Sequence, residues 1–210
     1  MRKSTRTICI IMMIALIIAM TPTAFAVTNE YAYIRIEGYE DTLVEKTAVP
    51  LEIFSLDSYG ISDNPQHYSV LHAIIYALEA KGYDATKKDI LNTNGGSYIS
   101  SVLGLTAQGN AGWMYVLNDN SSWNSIKDQQ ISKGDYVVIY YIEDWMSCSY
   151  STFGLSDEYE TDAFTTVKLN LKHQVTNPVT WEVSYENVSD AVITIDGQKT
   201  NIVTDKSGNA

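Results

Sequence analysis

The chain has 210 residues, 45% apolar, 11% aromatic and 19% charged, with 25 acids against 14 bases and a formal charge of −11. So much apolar and aromatic material excludes a disordered chain. The acidic balance excludes a nucleic-acid partner, which needs a basic face for phosphate, and the length allows one or two domains with cores of their own.

Residues 1–26 read as a signal peptide. Arg2, Lys3 and Arg6 make a basic start, Ile8 to Met20 is an apolar run too short for a membrane span, and Ala24-Phe25-Ala26 fits the cleavage pattern of small residues. An uncleaved anchor is the alternative. Cleavage after Ala26 removes three bases and no acids, leaving 11 bases against 25 acids and a charge of −14. It also removes Cys9, which lies too early in the apolar run to accept a lipid. Cys148 is then the only cysteine, so no internal disulfide forms. The expected product is an extracellular or cell-surface bacterial protein with no membrane hold after cleavage.

In chain order, Tyr31 to Glu37 alternates, with Ala32, Ile34 and Ile36 on one face of a half-buried strand. A second strand is predicted over Thr47 to Ile53, with Val49, Leu51 and Ile53 in register and Pro50 marking an edge or a bulge. Ser58 to Gln66 is turn-rich. A helix follows, with Ser69 as N-cap, Val70, Ala73, Ile74, Ala77 and Leu78 at helical spacing, and Gly82 as the left-handed stop. His72 is expected at its surface or rim.

Asn94-Gly95-Gly96 reads as a turn, Tyr98 to Leu105 as a short strand and Gly112 to Asn118 as another, ending in the turn stretch Asn118 to Ser122. After the tight turn Lys133-Gly134-Asp135, Tyr136 to Ile142 is apolar or aromatic throughout, as in a strand covered on both faces. The order predicts an α+β fold over residues 27–146, a β-grasp-like sheet with one packed helix. Residues 147–163, rich in Ser, Tyr and acids, read as a linker. Residues 164–210 read as a partial β-sandwich-like segment: Val167, Leu169 and Leu171 alternate, as do Trp181, Val183 and Tyr185, and Ala191, Ile193 and Ile195, with Asp196-Gly197 as a hairpin signal.

No catalytic residues are assigned. His67, His72 and His173 form no His-Glu-x-x-His pair. Ser97 follows Gly95-Gly96 without the glycine that closes a nucleophile elbow, and no phosphate loop is present. Cys148 reads as a free thiol in a polar stretch. Asp157, Glu158, Glu160 and Asp162 read as a solvated acidic stretch, since they lack a calcium loop's glycine and closing glutamate; no metal site is assigned. The informative class is aromatic, with 15 Tyr and 4 Trp. Trp113 and Tyr115 share a strand face, as do Tyr136, Val138 and Tyr140, and Trp123 is the best exposed loop candidate for stacking on a ligand.

Three stretches together carry a family resemblance: Tyr33-Ile34-Arg35-Ile36-Glu37-Gly38, Gly112-Trp113-Met114-Tyr115-Val116-Leu117-Asn118, and Gly134-Asp135 ahead of the strand ending Tyr140-Tyr141. The region from about Tyr31 to Glu143 resembles the transcobalamin-like C-terminal domain family. The resemblance implies a β-grasp-like domain. In the animal cobalamin carriers the similar domain closes over the vitamin against a helical barrel, and this chain shows one good helix and no barrel. The tail, Ser189 to Gly197 and Thr204 to Ala210, resembles the opening of bacterial immunoglobulin-like or carboxypeptidase-regulatory-like surface modules. Those usually continue with another strand, so a truncated reading frame and downstream surface domains are expected.

The expected function is a non-enzymatic ligand-binding or display module of a bacterial surface protein. Trp113, Tyr115, Asn118 and Trp123 are the candidate contact residues for a small-molecule or glycan ligand. The alternatives are cobalamin or corrinoid binding with a helical partner, and carbohydrate adhesion.

Overall fold

The computed structural model describes residues 30–39, 41–145, 150–152, 166–177, 179–180, 182–195 and 198–210. The predicted signal peptide, Cys148 and the acids Asp157, Glu158, Glu160 and Asp162 lie outside the described residues. The described chain is a sheet-rich α+β structure with one α-helix.

The chain enters through β1 (Tyr31–Glu37), whose alternation sends Ala32, Ile34 and Ile36 fully inside. A tight turn, closed by the Gly38 N–H on the Asp41 carbonyl at 2.8 Å, leads into β2 (Thr42–Pro50). This strand begins earlier than the alternation predicts and ends at Pro50, leaving Ile53 exposed. The reason is the turn, which pairs Glu37 with Thr42 directly, together with register shifts in the hairpin that let both Val44 and Val49 point inward despite their odd spacing. Pro50 sits at the end of an edge strand, where its missing N–H breaks no ladder.

The helix α1 (Val70–Ala80) starts where the sequence places it, behind Ser69 in extended backbone. It stops at Gly82, whose φ is +88°. Its side chains are buried almost all round rather than along one stripe. Ala73, Ile74, Ala77 and Leu78 join Ile34, Ile36, Val137 and Ile139 in one core, and Leu56, Ile61, Ile126 and Ile131 belong to the same cluster. The Val70 N–H bonds to the Gln129 carbonyl and the Leu71 N–H to the Ile126 carbonyl, so the helix start is stitched to the 126–129 segment. Each fully buried Ile or Leu contributes about 1.5–3 kcal/mol against exposure.

The same wrapping corrects one expectation. His72 is 0% exposed, not at a rim. Its Nε2–H donates to the Phe54 carbonyl at 3.1 Å, which leaves Nδ1 to accept from the Ser69 N–H at 3.2 Å and from the Ser69 hydroxyl at 2.9 Å. Its ring stacks on Tyr68 and meets Phe54 edge-on. A satisfied histidine is thus the acceptor in the place that Glu or Gln takes in a capping box.

The predicted strand over Tyr98 to Leu105 is two pieces, β4 (Ile99–Val102) and β5 (Leu105–Thr106), because Leu103 and Gly104 turn with positive φ. With β3 (Leu91–Thr93), which alternation alone does not reveal, they form a small antiparallel sheet. Next come β6 (Gly112–Leu117), β7 (Asn120–Ser121) and β8 (Tyr136–Ile142). The main sheet has five strands in the order β2-β1-β8-β6-β7, with β1 and β8 parallel at its centre and antiparallel neighbours outside. Val137, Val138 and Ile139 are all buried, as a strand covered on both faces requires. On the face away from α1, the Lys46 ammonium lies over the Tyr33 and Tyr136 rings at 4.7 and 5.6 Å.

Within the stretch read as a linker, Tyr150–Thr152 forms β9; the rest of 147–163 lies outside the described residues. The alternation of Val167, Leu169 and Leu171 does not make a strand. Pairing begins one residue later, in β10 (Lys172–Thr176), which lies between β9 and β11 (Val183–Asn187). The Leu169 and Leu171 amides are instead held by the Ala210 and Gly208 carbonyls. Separately, β12 (Val192–Ile195) pairs antiparallel with β13 (Gln198–Val203), and the predicted hairpin signal Asp196-Gly197 lies outside the described residues. Gln174 is buried and its Nε2 donates to Ser121 Oγ at 2.7 Å, which ties β10 to β7.

Candidate functional site

An open cleft of about 330 Å3 lies along the outer side of β6. Its floor is Trp113 and Tyr115, each 8% exposed, and its rim is Trp123, 67% exposed. Ile99 and Ile126 add apolar wall, and Ser97, Ser122, Asn124 and Ser125 add hydroxyl and amide groups. A mainly apolar concavity with a few fixed polar groups is the usual form of a small-ligand site.

Each ring is positioned by a specific bond. The Trp113 Nε1–H donates to the Leu105 carbonyl at 3.0 Å, and its ring meets Tyr141 edge-on at 5.3 Å. Tyr141 in turn donates from its hydroxyl to the Thr106 carbonyl at 3.0 Å. The small β3–β5 sheet is thereby clamped to β6 by Trp113 and to β8 by Tyr141. The Tyr115 hydroxyl lies 2.7 Å from the Asn124 carbonyl and 2.9 Å from Ser122 Oγ, and its one proton serves one of them at a time. Burial raises the Tyr115 pKa, with the Ser122 hydrogen bond opposing, so the phenol stays neutral.

The loop that carries Trp123 is fixed at both ends. Ser122 Oγ and Asn124 Nδ2 both reach Gln129 Oε1, at 2.7 and 2.9 Å. The Ile126 and Lys127 amides donate to the carbonyls of Ser97 and Gly96. Gly96 has φ +79°, and a Cβ there would stand 3.0 Å from Lys127 Cβ. The Asn94-Gly95-Gly96 turn therefore lets the two loops approach, and Ser97, Tyr98 and Ile99, which follow it, line the cleft.

Of the four sequence-predicted contact residues, the structure brings Trp113, Tyr115 and Trp123 together. Asn118 is placed elsewhere, in the hairpin turn between β6 and β7, where it and Asp119 have φ of +51° and +60°. Its side chain is committed: Nδ2 donates to Asp135 Oδ1 at 2.9 Å, and Oδ1 accepts the Tyr136 N–H at 2.8 Å. Sequence reasoning missed Tyr98, Ser122, Asn124 and Ile126 as lining residues. Only tertiary folding brings residues 97–99 and 122–126 to one strand, so no local pattern marks them. Among the described residues, no group of three or more His, Cys, Asp or Glu side chains is placed to hold a metal ion. No helix among them is long and apolar enough to cross a membrane.

Residues 70–143, from the start of α1 to just past β8, match the model of a domain of unknown function, DUF4430. No curated protein matches the chain. Among solved structures, haptocorrin in complex with Cbi is similar at 12% identity and a TM-score of 0.36, over 54% of this chain and 25% of that one. The chain thus spans a quarter of the haptocorrin chain that it matches. A protein from Ruminococcus gnavus, provisionally described as metal binding, is similar at 12% identity and a TM-score of 0.34, over 54% of this chain and 97% of that one. Neither likeness transfers a ligand to this chain.

Proposed function

We propose that residues 30–145 are a β-grasp-like recognition domain of transcobalamin C-terminal type in an exported bacterial surface protein. Its output is non-enzymatic binding of a small-molecule or glycan ligand in the β6 cleft. The single observation that carries this reading is that the exposed Trp123 lines one cleft together with Trp113 and Tyr115, with Ser and Asn groups beside them. Rings, hydroxyls and amides supply stacking and hydrogen bonds, which is recognition chemistry. The sheet order, with parallel central strands between two hairpins and one helix across a face, supports the β-grasp-like reading. The leader pattern of residues 1–26 supports export. Exposed Val183, Tyr185, Val192, Ile195 and Ile202 support the reading of residues 164–210 as an incomplete sandwich-like segment.

Corrinoid binding with a helical partner is the second reading, favoured by the Gly112–Asn118 and Gly134–Tyr141 stretches that carry the family resemblance. In it the cleft takes one edge of the ligand and the partner covers the rest. The test is a tryptophan-fluorescence and calorimetric titration of the exported chain with cobalamin, beside a glycan array. A ligand that quenches the parent and binds Trp123→Ala at least about tenfold more weakly supports the cleft. Equal binding by parent and variant removes Trp123 from the site. Turnover of a substrate that is lost on mutating one polar residue overturns the non-enzymatic reading.

A further inference from the structure

The cleft is lined without formal charge. Its residues are Ser, Asn, Ile, Met, Tyr and Trp, and among the described residues no acid, base or histidine joins them. The nearest base along the chain is Lys127, next to Ile126. Its ammonium is already paired, with Asp63 Oδ2 at 2.9 Å and with Asp128 Oδ1 at 3.2 Å. The chain as a whole carries a formal charge of −11. A carboxylate, sulfate or phosphate entering the cleft would shed water and meet no counter-charge, which is costly.

The polar groups of the lining divide by what they have left to give. Ser122 and Ser125 donate their protons away from the cleft, to Gln129 Oε1 and Asp128 Oδ2. The Tyr115 proton goes to the Asn124 carbonyl or to Ser122 Oγ. None of these three hydroxyls has a proton for a ligand. Two other groups keep both functions. Asn124 spends one amide N–H on Gln129 and retains Oδ1 and its second N–H. The Ser97 hydroxyl has no side-chain partner among the described residues. A ligand built of acceptors alone finds few donors here, whereas a hydroxyl, which both donates and accepts, can use every group that remains.

Rings supply the rest of the surface. Trp123 and Tyr98, 67% and 55% exposed, line the same cleft, with Ile99 and Ile126 as apolar wall. A sugar ring combines an apolar C–H face, which suits an aromatic ring, with a rim of hydroxyls. A volume of about 330 Å3 is near the lower end of the range for ligand pockets, which suits a short piece of a chain that continues into solvent.

We propose that the β6 cleft binds a short stretch of an uncharged saccharide, with Trp123 and Tyr98 against its ring faces and Ser97 and Asn124 exchanging hydrogen bonds with its hydroxyls. This rests on the cleft being the binding site and names the class of its ligand.

The test is a glycan array on the full exported chain, with neutral hexose and N-acetylhexosamine oligosaccharides beside sialylated, uronate and sulfated ones. Calorimetry with the strongest neutral ligand follows. Binding is expected to neutral saccharides alone, with affinity changing less than about twofold between about 0.05 and 0.5 M sodium chloride, since no ion pair forms. Trp123→Ala and Tyr98→Ala each weaken it about tenfold or more, and Tyr83→Ala, at an exposed ring outside the cleft, does not. Ser97→Ala removes one exposed hydroxyl and weakens binding about threefold or more, with the urea midpoint of the parent. A preference for acidic glycans, or an affinity that collapses with salt, overturns the uncharged class and leaves the cleft if Trp123→Ala still weakens binding. Trp123-dependent binding of cobalamin or choline, with no saccharide bound, overturns the saccharide class alone. A neutral saccharide held equally by the parent, Trp123→Ala and Tyr98→Ala removes the cleft reading and this proposal together, as does silence from every probe.

Discussion

Asn118 holds both backbone polar groups of Tyr136: the Asn118 N–H donates to the Tyr136 carbonyl at 2.8 Å, and Asn118 Oδ1 accepts the Tyr136 N–H at 2.8 Å. The second bond replaces a main-chain rung with a side chain at the point where β6 turns away from β8. Asp135 completes the link by accepting from Asn118 Nδ2 and from the Ser132 N–H. Two turns far apart in sequence are locked together, which fixes the end of the β6–β8 ladder.

Replacing Asn118 with alanine therefore removes two side-chain bonds and leaves a Cβ residue at φ +51°. The expected loss is about 2–3 kcal/mol, from roughly 1 kcal/mol per bond and a similar strain. Asn118→Gly relieves the strain but not the lost bonds, so it lies between parent and alanine variant. Urea unfolding checks the order. An alanine variant as stable as the parent refutes the account, and affinity at the cleft is expected to be unchanged in either variant.

Tyr115→Phe isolates the hydroxyl from the ring. The ring keeps its place in the cleft floor, while the Asn124 carbonyl loses this donor and Ser122 Oγ keeps its bonds to Gln129 Oε1 and the Asn124 N–H. A loss of about 1–2 kcal/mol is expected. Faster amide exchange should be confined to residues 122–126. Global acceleration, or none, contradicts a hydroxyl that pins this loop.

Much of the scaffold is legible in the residues themselves. The period of Ala32, Ile34 and Ile36 fixes a strand face, and that of Val70, Ala73, Ile74, Ala77 and Leu78 fixes a helix between a Ser cap and a Gly stop. Where reading fails, a long-range term has won. β2 is displaced because the Gly38–Asp41 turn sets its register. β3 is too short to show a period. His72 is buried because the segments containing Phe54 and Gln129 close over the outer side of α1, which an amphipathic pattern does not encode. In the cleft, Trp113 and Tyr115 are legible as a shared strand face and Trp123 as a loop aromatic.

Gly96 is expected to control the width of the cleft. Its φ of +79° strains any other residue, and an added Cβ would meet Lys127 Cβ at 3.0 Å and Leu71 Cδ2 at 3.3 Å. The Gly96→Ala variant should lose about 1–3 kcal/mol. It should also weaken the bonds from the Ile126 and Lys127 amides to the 96–97 carbonyls. Trp123 fluorescence reports the displaced loop. An unchanged spectrum together with parent stability means the turn yields freely and does not shape the site.

His72 makes stability depend on pH. Burial lowers its pKa below 6.5; the hydrogen bond to the Phe54 carbonyl opposes this in part, and neighbouring His67 lowers it further. The folded chain needs the neutral ring, because Nδ1 accepts from both Ser69 groups. Between the unfolded pKa and the lower folded one, the unfolded chain binds a proton that the folded chain does not. The His72 contribution is therefore fully present above about pH 6.5 and is lost as pH falls through the folded value. Glutamine at this position keeps a capping-box acceptor and does not titrate. Urea midpoints of the parent should fall between pH 7.5 and 5.5 relative to those of His72→Gln, the carboxylates being common to both. Parallel profiles for the two proteins would show that protonation of this ring is not coupled to folding.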